Sequence, residues 1–293
     1  MKTVSIIGIG RVGGALALAL DGKNYKIENL VARTTENAEK VYESLISKPK
    51  ISSLESLNEI NSDIVFITTQ DSEISGIAKI LSAKVSENSI IFHTSGALSS
   101  EILKNLTENA VGSLHPLVSI SNSFLGKERF MDAFFCIEGD EKAVETAEKI
   151  VVDLNGRSFS IESKYKTLYH AAAVTACGHL VATIDAAIEM MEKCGLEQAK
   201  AQKILLPLIK STVENLETQN TAEALTGTFA RADAETFEKH RASIRENLTD
   251  EIMEIYLLLG MRSLKLAERQ NADRERVEKM RKKILLAKSE LKC

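Results

Sequence analysis

The feature that most constrains this chain is a glycine-rich loop close to its beginning. An apolar run at residues 4–7 leads directly into the loop, and a helical pattern opens inside it. In such a strand–turn–helix unit the first glycine permits the turn, the second allows phosphates to approach the backbone, and the third lets helix and strand pack closely. The helix start offers free N–H groups to the phosphates. The residues predicted to bind a dinucleotide here are Gly8, Gly10, Arg11, Val12 and Gly13.

The end of the second apolar run indicates which dinucleotide is preferred. NAD-specific sites present Asp or Glu about twenty residues after the loop, whereas this chain has Arg33, Thr34 and Thr35 there. A guanidinium beside two hydroxyls suits a 2′-phosphate, because arginine donates in parallel to phosphate oxygens and no carboxylate is expected there to repel them. The segment predicts NADP as cofactor; the alternative is an exposed arginine that opens a loop.

At 293 residues the chain is long enough for two domains, which we place at residues 1–160 and 161–293. In the first, short β-rich runs alternate with helical segments, which predicts βαβ units and an α/β Rossmann domain with a doubly wound, mostly parallel sheet. The runs are residues 4–7, 27–32, 64–68, 89–93, 110–114 and 133–137. The helical segments are residues 13–20, 35–44, 72–81, 99–105 and 141–154.

The second half shows only helical periodicity, which predicts an all-α domain. Its first segment, residues 163–194, is apolar on most faces and is expected to lie at the centre of that domain. Gly195 follows where a helix C-terminus favours glycine, and Pro207 is expected to kink the next helix. Further helices are predicted at residues 197–218, 222–225, 233–247, 249–270 and 273–291.

Composition narrows the classes of partner. A net charge of −4, an aromatic content of 5% and the lack of tryptophan leave neither a cationic field nor a stacking surface for nucleic acid. The most apolar stretch, residues 168–191, contains His170, His179, Asp185 and Glu189 and is expected to be a buried helix rather than a membrane span.

The cysteines predict a reducing location. They are far apart and form neither a CxxC pair nor a zinc-type cluster with histidine, so we expect free thiols, no metal and a cytoplasmic protein. The apolar run at residues 4–7 is too short for a secretory signal.

Five segments together resemble one family, the bacterial Rossmann-like proteins with a C-terminal domain of unknown function, usually described as predicted NADP oxidoreductases. The resemblance covers nearly the whole chain. The segments are residues 8–10 (GIG), 93–98 (HTSGAL), 112–117 (GSLHPL), 168–173 (LYHAAA) and 224–227 (ALTG), the last with Arg231 and Asp233.

The resemblance implies an architecture similar to that of pyrroline-5-carboxylate reductase and of 6-phosphogluconate and 3-hydroxyisobutyrate dehydrogenases. In these proteins a helical domain packs on the carboxyl edge of the sheet and closes over the nicotinamide, often across a dimer. No substrate is implied. Family members often carry Asn in the long helix where this chain has Gly178, next to His179.

Ligands of doubly wound sheets bind outside the carboxyl ends of the strands, so polar residues just after the apolar runs are site candidates. Thr69 and Thr94 follow two such runs and are predicted to contact the cofactor. Ser95 is predicted to contact the substrate or a substrate oxyanion; the alternatives for Thr94 and Ser95 are a helix cap or a plain turn.

Two histidines are the predicted catalytic groups beside Ser95. His115 precedes a proline, which favours extended backbone and fixes the direction of its ring. His170 lies early in the long helix, where β-hydroxyacid dehydrogenases place a catalytic lysine, and is expected to be the general acid. The alternatives are a turn histidine and a buried structural histidine. Lys166, one turn earlier, is expected to be solvated, and Tyr169 to point elsewhere and pack.

In the helical half, Thr226 and Arg231 lie at a break between helices. Arg231 is predicted to bind a substrate carboxylate in bidentate fashion with Thr226 beside it, the alternative being a surface ion pair.

These observations predict an NADP-dependent oxidoreductase that transfers a hydride between nicotinamide and a small carbonyl or imine compound. The alternative is an NADP-binding sensor or assembly module without turnover. His170, His115 and Ser95 are expected to converge on one cleft. The alanine-rich stretch at residues 171–187 predicts a homodimer through the C-terminal helices.

Overall fold

The computed structural model describes residues 1–106 and 108–291. Contacts divide the chain into two compact units, residues 1–177 and 178–293. The first is an α/β unit and the second is helical. The domain boundary placed at residues 160 and 161 stays a prediction.

The first unit is built on one sheet. Its strands are β1 (Lys2–Ile7), β2 (Tyr25–Val31), β3 (Lys50–Ser52), β4 (Ile64–Ile67), β5 (Ile90–His93), β6 (Ala110–Pro116), β7 (Phe134–Gly139) and β8 (Arg157–Phe159). They are ordered β3-β2-β1-β4-β5-β6-β7-β8. Neighbours are parallel except β6 and β7, which are antiparallel. The predicted mostly parallel, doubly wound sheet is therefore confirmed, while β3 and β8, three residues each, are strands that the sequence pattern missed.

Alternate strand residues are buried on opposite faces of the sheet, as the pleat requires. Ile6, Phe66 and Phe92 belong to one apolar cluster, whereas Ile67 and Ile91 belong to another on the opposite face. The helices of this unit are α1 (Arg11–Leu20), α2 (Thr35–Glu43), α3 (Asp71–Leu81), α4 (Ser123–Gly126) and α5 (Glu141–Asp153). The helix predicted at residues 99–105 is only a short 3₁₀ helix, Ser100–Leu103.

Helix α6 (Lys166–Lys193) begins in the first unit and continues into the second. The further helices are α7 (Gln198–Thr218), α8 (Gly227–Ala230), α9 (Ala234–Asn247), α10 (Asp250–Arg269) and α11 (Arg274–Glu290). Phe237, Leu257, Leu264 and Met280 form the fully buried centre of the second unit.

The ends of these helices follow their sequence signals in part. Gly195 has φ of +88° just past α6, so the predicted glycine terminus is confirmed. Helix α7 continues through Pro207. The helix predicted at residues 222–225 is wrong, because that segment forms turns.

The predicted central position of α6 is wrong for the single chain. The most apolar 18-residue window of the segment Ser163–Lys193 has a mean hydropathy of 1.5, and only 11% of that window is buried. Within the described residues it is the one helix long and apolar enough to cross a membrane, judged by length and composition only. One such helix is weak evidence for a span, since core helices of soluble proteins pass the same test.

Candidate functional site

The loops after four neighbouring strands begin side by side at one edge of the sheet. The Gly8 N–H donates to the Val31 carbonyl at 2.8 Å, which joins the ends of β1 and β2. The Thr68 N–H donates to the Ile7 carbonyl at 2.8 Å, and the Thr94 N–H donates to the Ile67 carbonyl at 3.2 Å. Because these bonds continue the strand pairing past the strand ends, the loops after β2, β1, β4 and β5 share one edge.

Each glycine of the loop after β1 meets a different spatial demand. Gly8 has φ of +98°, in the left-handed region that favours glycine. A Cβ on Gly13 would lie 2.1 Å from the Gly8 carbonyl oxygen, so this position requires close packing of helix on loop. A Cβ on Gly10 would meet nothing within 4 Å, so the space above it is open to a ligand. This pattern fits a loop that approaches phosphates with its backbone.

A cavity of about 820 Å³ opens at this edge. Of the predicted cofactor residues, it is lined by Gly8, Gly10, Arg33, Thr34 and Thr69. The Thr69 hydroxyl is buried and has no hydrogen-bond partner among the described residues, which fits a polar ligand atom beside it.

The other predicted cofactor residues lie near the cavity without being part of its wall. Arg11 is exposed at the first position of α1, and Val12 packs partly against the core. Thr35 is the first residue of α2. Thr94 lies in the loop after β5. Gly13, in the first turn of α1, packs against the Gly8 carbonyl of the glycine loop.

Arg33 has a partner that the sequence did not reveal. Its guanidinium forms an ion pair with the Glu73 carboxylate, and both residues line the cavity. The expectation that no carboxylate stands near the 2′ position is therefore wrong. Glu73 lies on α3, forty positions away in the chain, so only the fold brings the two charges together.

A second set of polar side chains lies on one face of the sheet, beyond the cavity. In register across the strands, His93 pairs with Ser113, and Ser113 pairs with Glu138. Two residues further along β6, His115 pairs with Cys136. Because strand side chains alternate between faces, all five point to the same side.

The start of α6 adds three more residues to this set. The Tyr169 hydroxyl and His115 Nδ1 are 2.7 Å apart and share a hydrogen bond. The His115 and His170 rings are perpendicular, with centroids 5.8 Å apart. The expectation that Tyr169 points elsewhere is thus wrong. We call Lys166, Tyr169, His170, His115 and His93 the basic cluster.

Gly96 determines how close the two histidines come. A Cβ at this position would lie 2.5 Å from His170 Nδ1 and 2.8 Å from His115 Nε2. The loop is shaped by Ser95, whose hydroxyl accepts from the Ala97 and Leu98 N–H groups at 3.2 and 3.1 Å. The structure therefore brings His115, His170 and the Ser95 loop together, while their catalytic roles stay predictions.

Lys166 is buried rather than solvated, which corrects the sequence-based expectation. Only 1% of the residue is exposed, and its ammonium donates to the Ser113 hydroxyl at 2.8 Å. Burial lowers its pKa, partly opposed by the neighbouring Cys136 and Glu138 side chains. Its position four residues before His170 places both on one helix face.

Burial also acts on two of the histidines. It lowers the pKa of His115 to about 4, assisted by the positive charge of Lys166 and by His170 and His93. It likewise lowers the pKa of His93 to about 4. Both rings are therefore neutral near pH 7, and His93 Nδ1 accepts from the Ser95 N–H at 3.2 Å.

The two predicted substrate residues of the second unit flank one short helix. Thr226 precedes α8 and Arg231 follows it, and both are exposed. Their roles stay predictions.

Comparison with known domain families matches both halves of the chain. Residues 1–117 match a Rossmann-like domain, and residues 133–263 match a domain of unknown function, DUF2520. The chain is a Rossmann-like protein with a DUF2520 domain. No curated protein matches the sequence.

Solved structures resemble this Rossmann–DUF2520 chain over most of its length. A Bacteroides fragilis protein, whose name gives NADP oxidoreductase as an assumed activity, has a TM-score of 0.76 and 21% identity, covering 90% of this chain and 98% of its own. A Thermotoga maritima protein has a TM-score of 0.69 and 25% identity, covering 92% and 99%. Plasmodium falciparum pyrroline carboxylate reductase, solved with NADP bound, has a TM-score of 0.59 and 14% identity, covering 91% and 98%. These likenesses confirm the fold.

Proposed function

We propose that this protein is an NADP-dependent oxidoreductase that transfers a hydride between nicotinamide and a small carbonyl or imine compound. The observation that carries the proposal is the shared sheet edge. The Thr94 N–H bond to the Ile67 carbonyl aligns the loop that leads to the basic cluster with the loops that line the cavity. The NADP-bound reductase among the similar structures supports the choice of cofactor.

The residues present fit the dinucleotide in a defined way. The glycine loop and the N-terminus of α1 would hold the pyrophosphate, because Gly10 leaves open space and the first turn of α1 carries no acidic residue. Arg33, Thr34 and Thr35 would meet the 2′-phosphate, and Thr69 and Thr94 would contact the nicotinamide half. NADPH, when bound, supplies the hydride.

The basic cluster would supply orientation and a proton donor. His170 Nδ1 is buried with no hydrogen-bond partner in the described part of the chain. A buried polar atom left without a protein partner fits a polar ligand atom beside it. His170 is therefore proposed to donate the proton that the substrate oxygen or nitrogen receives.

His115, Ser95 and Lys166 would support that donor. Tyr169 fixes the His115 ring through the 2.7 Å hydrogen bond, and Ser95 forms the turn that places Gly96 under both rings. Lys166 would act as a positioning residue, because its ammonium is bonded to Ser113 and is closed to solvent. Arg231 and Thr226 are proposed to contact the substrate.

The test is NADPH oxidation by the purified protein with a panel of keto acids and cyclic imines, followed at the reduced-nicotinamide absorbance. We expect turnover with at least one compound, and its loss by at least about 100-fold in His170→Ala, the range typical of a lost general acid–base group. His179→Ala is the matched control, an exposed histidine on the same helix. Tight NADPH binding without turnover on any compound would instead support the sensor or assembly function.

We also propose a homodimer formed through α6 and α7. Both helices expose large apolar side chains, among them Val181 at 65% and Leu208 at 64%. Exposed large apolar side chains in such number are typical of an interface. Light scattering at micromolar concentration should give twice the chain mass. Val181→Lys should shift it toward monomer, whereas Val152→Lys, at an equally exposed valine on α5, should not.

We further propose a cytoplasmic location. Cys136, Cys177 and Cys194 are free thiols, and Cys136 is buried. Such thiols persist in a reducing compartment. Fractionation of cells that express the protein would test this location.

A further inference from the structure

The end of the cavity next to Arg33 carries charges of both signs. The side chain of Arg33 is 83% exposed, and the Glu73 side chain that pairs with it is 31% exposed. An ion pair with this exposure is weak, about 0.2–1 kcal/mol. The guanidinium can therefore exchange its partner when a better anion arrives.

The direction of Glu73 follows from the face that α3 turns toward the cavity. Glu73, Gly76, Ile77 and Ile80 all line the cavity. Their spacing of three and four residues places them on one helix face. Glu73 lies in the first turn of α3, where the helix dipole stabilises a carboxylate. Glu73 therefore belongs to the cavity wall, on the same helix face as the other lining residues of α3.

The wall as a whole is not a cationic site. Among the described residues that line it, Arg33 is the one cation, whereas Glu55 and Glu73 are both carboxylates. A 2′-phosphate carries close to two negative charges and offers three acceptor oxygens. The Arg33 guanidinium should therefore bind it in preference to a carboxylate. To bind, the phosphate must take Arg33 from Glu73 and lie near the carboxylate that remains.

We infer that Glu73 is a specificity-determining residue of the cofactor site. It holds Arg33 when no 2′-phosphate is present and so reduces the preference for NADP over NAD that Arg33 creates. This inference rests on the proposed function, since it requires that the cavity takes a nicotinamide dinucleotide.

Calorimetric titration of the full-length protein with two fragments isolates the 2′-phosphate. Adenosine 2′,5′-bisphosphate carries that phosphate, and 5′-AMP lacks it. Glu73→Gln should tighten binding of the bisphosphate by about three- to tenfold, the sum of a released weak ion pair and a removed repulsion. Its affinity for 5′-AMP should stay within about twofold. NADPH and NADH should show the same pattern.

Two further variants separate competition from general charge. Glu55→Gln removes the same charge from the same cavity but leaves the Arg33 ion pair in place, so it should change the bisphosphate affinity by less than Glu73→Gln. In an Arg33→Ala background the effect of Glu73→Gln should shrink, because no guanidinium remains to be released.

Specific outcomes would overturn the inference. One is an unchanged ratio of bisphosphate to 5′-AMP affinity in Glu73→Gln. Another is weaker binding of NADH by that variant, which would mean that Glu73 accepts from the ribose 2′-hydroxyl. Failure of the cofactor assignment would look different, because the wild type itself would then bind neither fragment, and failure of catalysis alone would leave both fragments bound without turnover of NADPH.

Discussion

The cavity at the glycine loop and the basic cluster beyond it lie along one sheet edge but are built in opposite ways. The glycine loop itself is one short stretch of chain, and its key property is what is absent, namely side chains at Gly8, Gly10 and Gly13. The basic cluster comes from β5, β6 and α6, and its key property is that burial keeps two of its histidines neutral. A binding site formed by backbone atoms should tolerate substitution of side chains other than its glycines. A site formed by buried rings should be sensitive to substitution of each residue that packs against them.

The largest expected effect comes from a substitution in the glycine loop. Gly13→Ala places a Cβ 2.1 Å from the Gly8 carbonyl oxygen, a backbone atom that cannot move aside cheaply. We expect a loss of about 3 kcal/mol in the free energy of unfolding, at the upper end for overpacking, together with loss of NADPH binding. Denaturant unfolding and NADPH titration measure both. Gly10→Ala is the matched control for the free energy of unfolding only, because its Cβ enters the open space proposed for the phosphates; equal destabilisation by the two variants would contradict this account.

The next prediction tests whether the basic cluster can lose its activity while the cavity still binds NADPH. Gly96→Ala pushes a Cβ against His170 Nδ1 and His115 Nε2, which are side-chain atoms, so the two rings and not the backbone must shift. Displacing them should lower turnover by about 100-fold, the cost of misplacing catalytic groups by about 1 Å. NADPH affinity should stay within about twofold of wild type. If NADPH affinity fell as far as turnover, the two regions would not be separable.

The smallest effect concerns the burial of His115. Its pKa is about 4 in the folded protein against 6.5 when unfolded, so the unfolded state takes up a proton first on acidification. The contribution of His115 to stability is fully present above pH 6.5 and is lost as the pH falls toward 4. At about 1.4 kcal/mol per pKa unit, this costs about 2 kcal/mol between pH 7 and pH 5.

His115→Gln should therefore flatten the pH dependence of unfolding by about that amount, because glutamine does not titrate. Denaturant unfolding at pH 7 and pH 5 measures the difference, with His179→Gln as the control at an exposed position. Identical pH dependence of wild type and His115→Gln would show that the ring is not desolvated in the folded state.

Local sequence patterns predicted the framework well. The apolar runs and the glycine loop predicted the parallel sheet. Both the short apolar runs and the strand–turn–helix unit are properties of a few adjacent residues. The His-Pro pair and the start of the long helix also identified His115 and His170. The pattern in residues 112–115 also predicts a shared face for Ser113 and His115, because they alternate with apolar residues.

What the sequence could not decide were the partners of each charged group. Lys166 is buried because the start of α6 brings its ammonium to the Ser113 hydroxyl of β6, to which it donates. Nothing in the adjacent sequence distinguishes it from a solvated lysine. Arg33 meets Glu73 because β2 ends and α3 begins at the same sheet edge. Short-range periodicity and backbone sterics determine elements, so the sequence alone determined the Rossmann framework. Desolvation and ion pairing depend on residues distant in the chain, so only the tertiary structure decided which side chains are neutral, paired or buried.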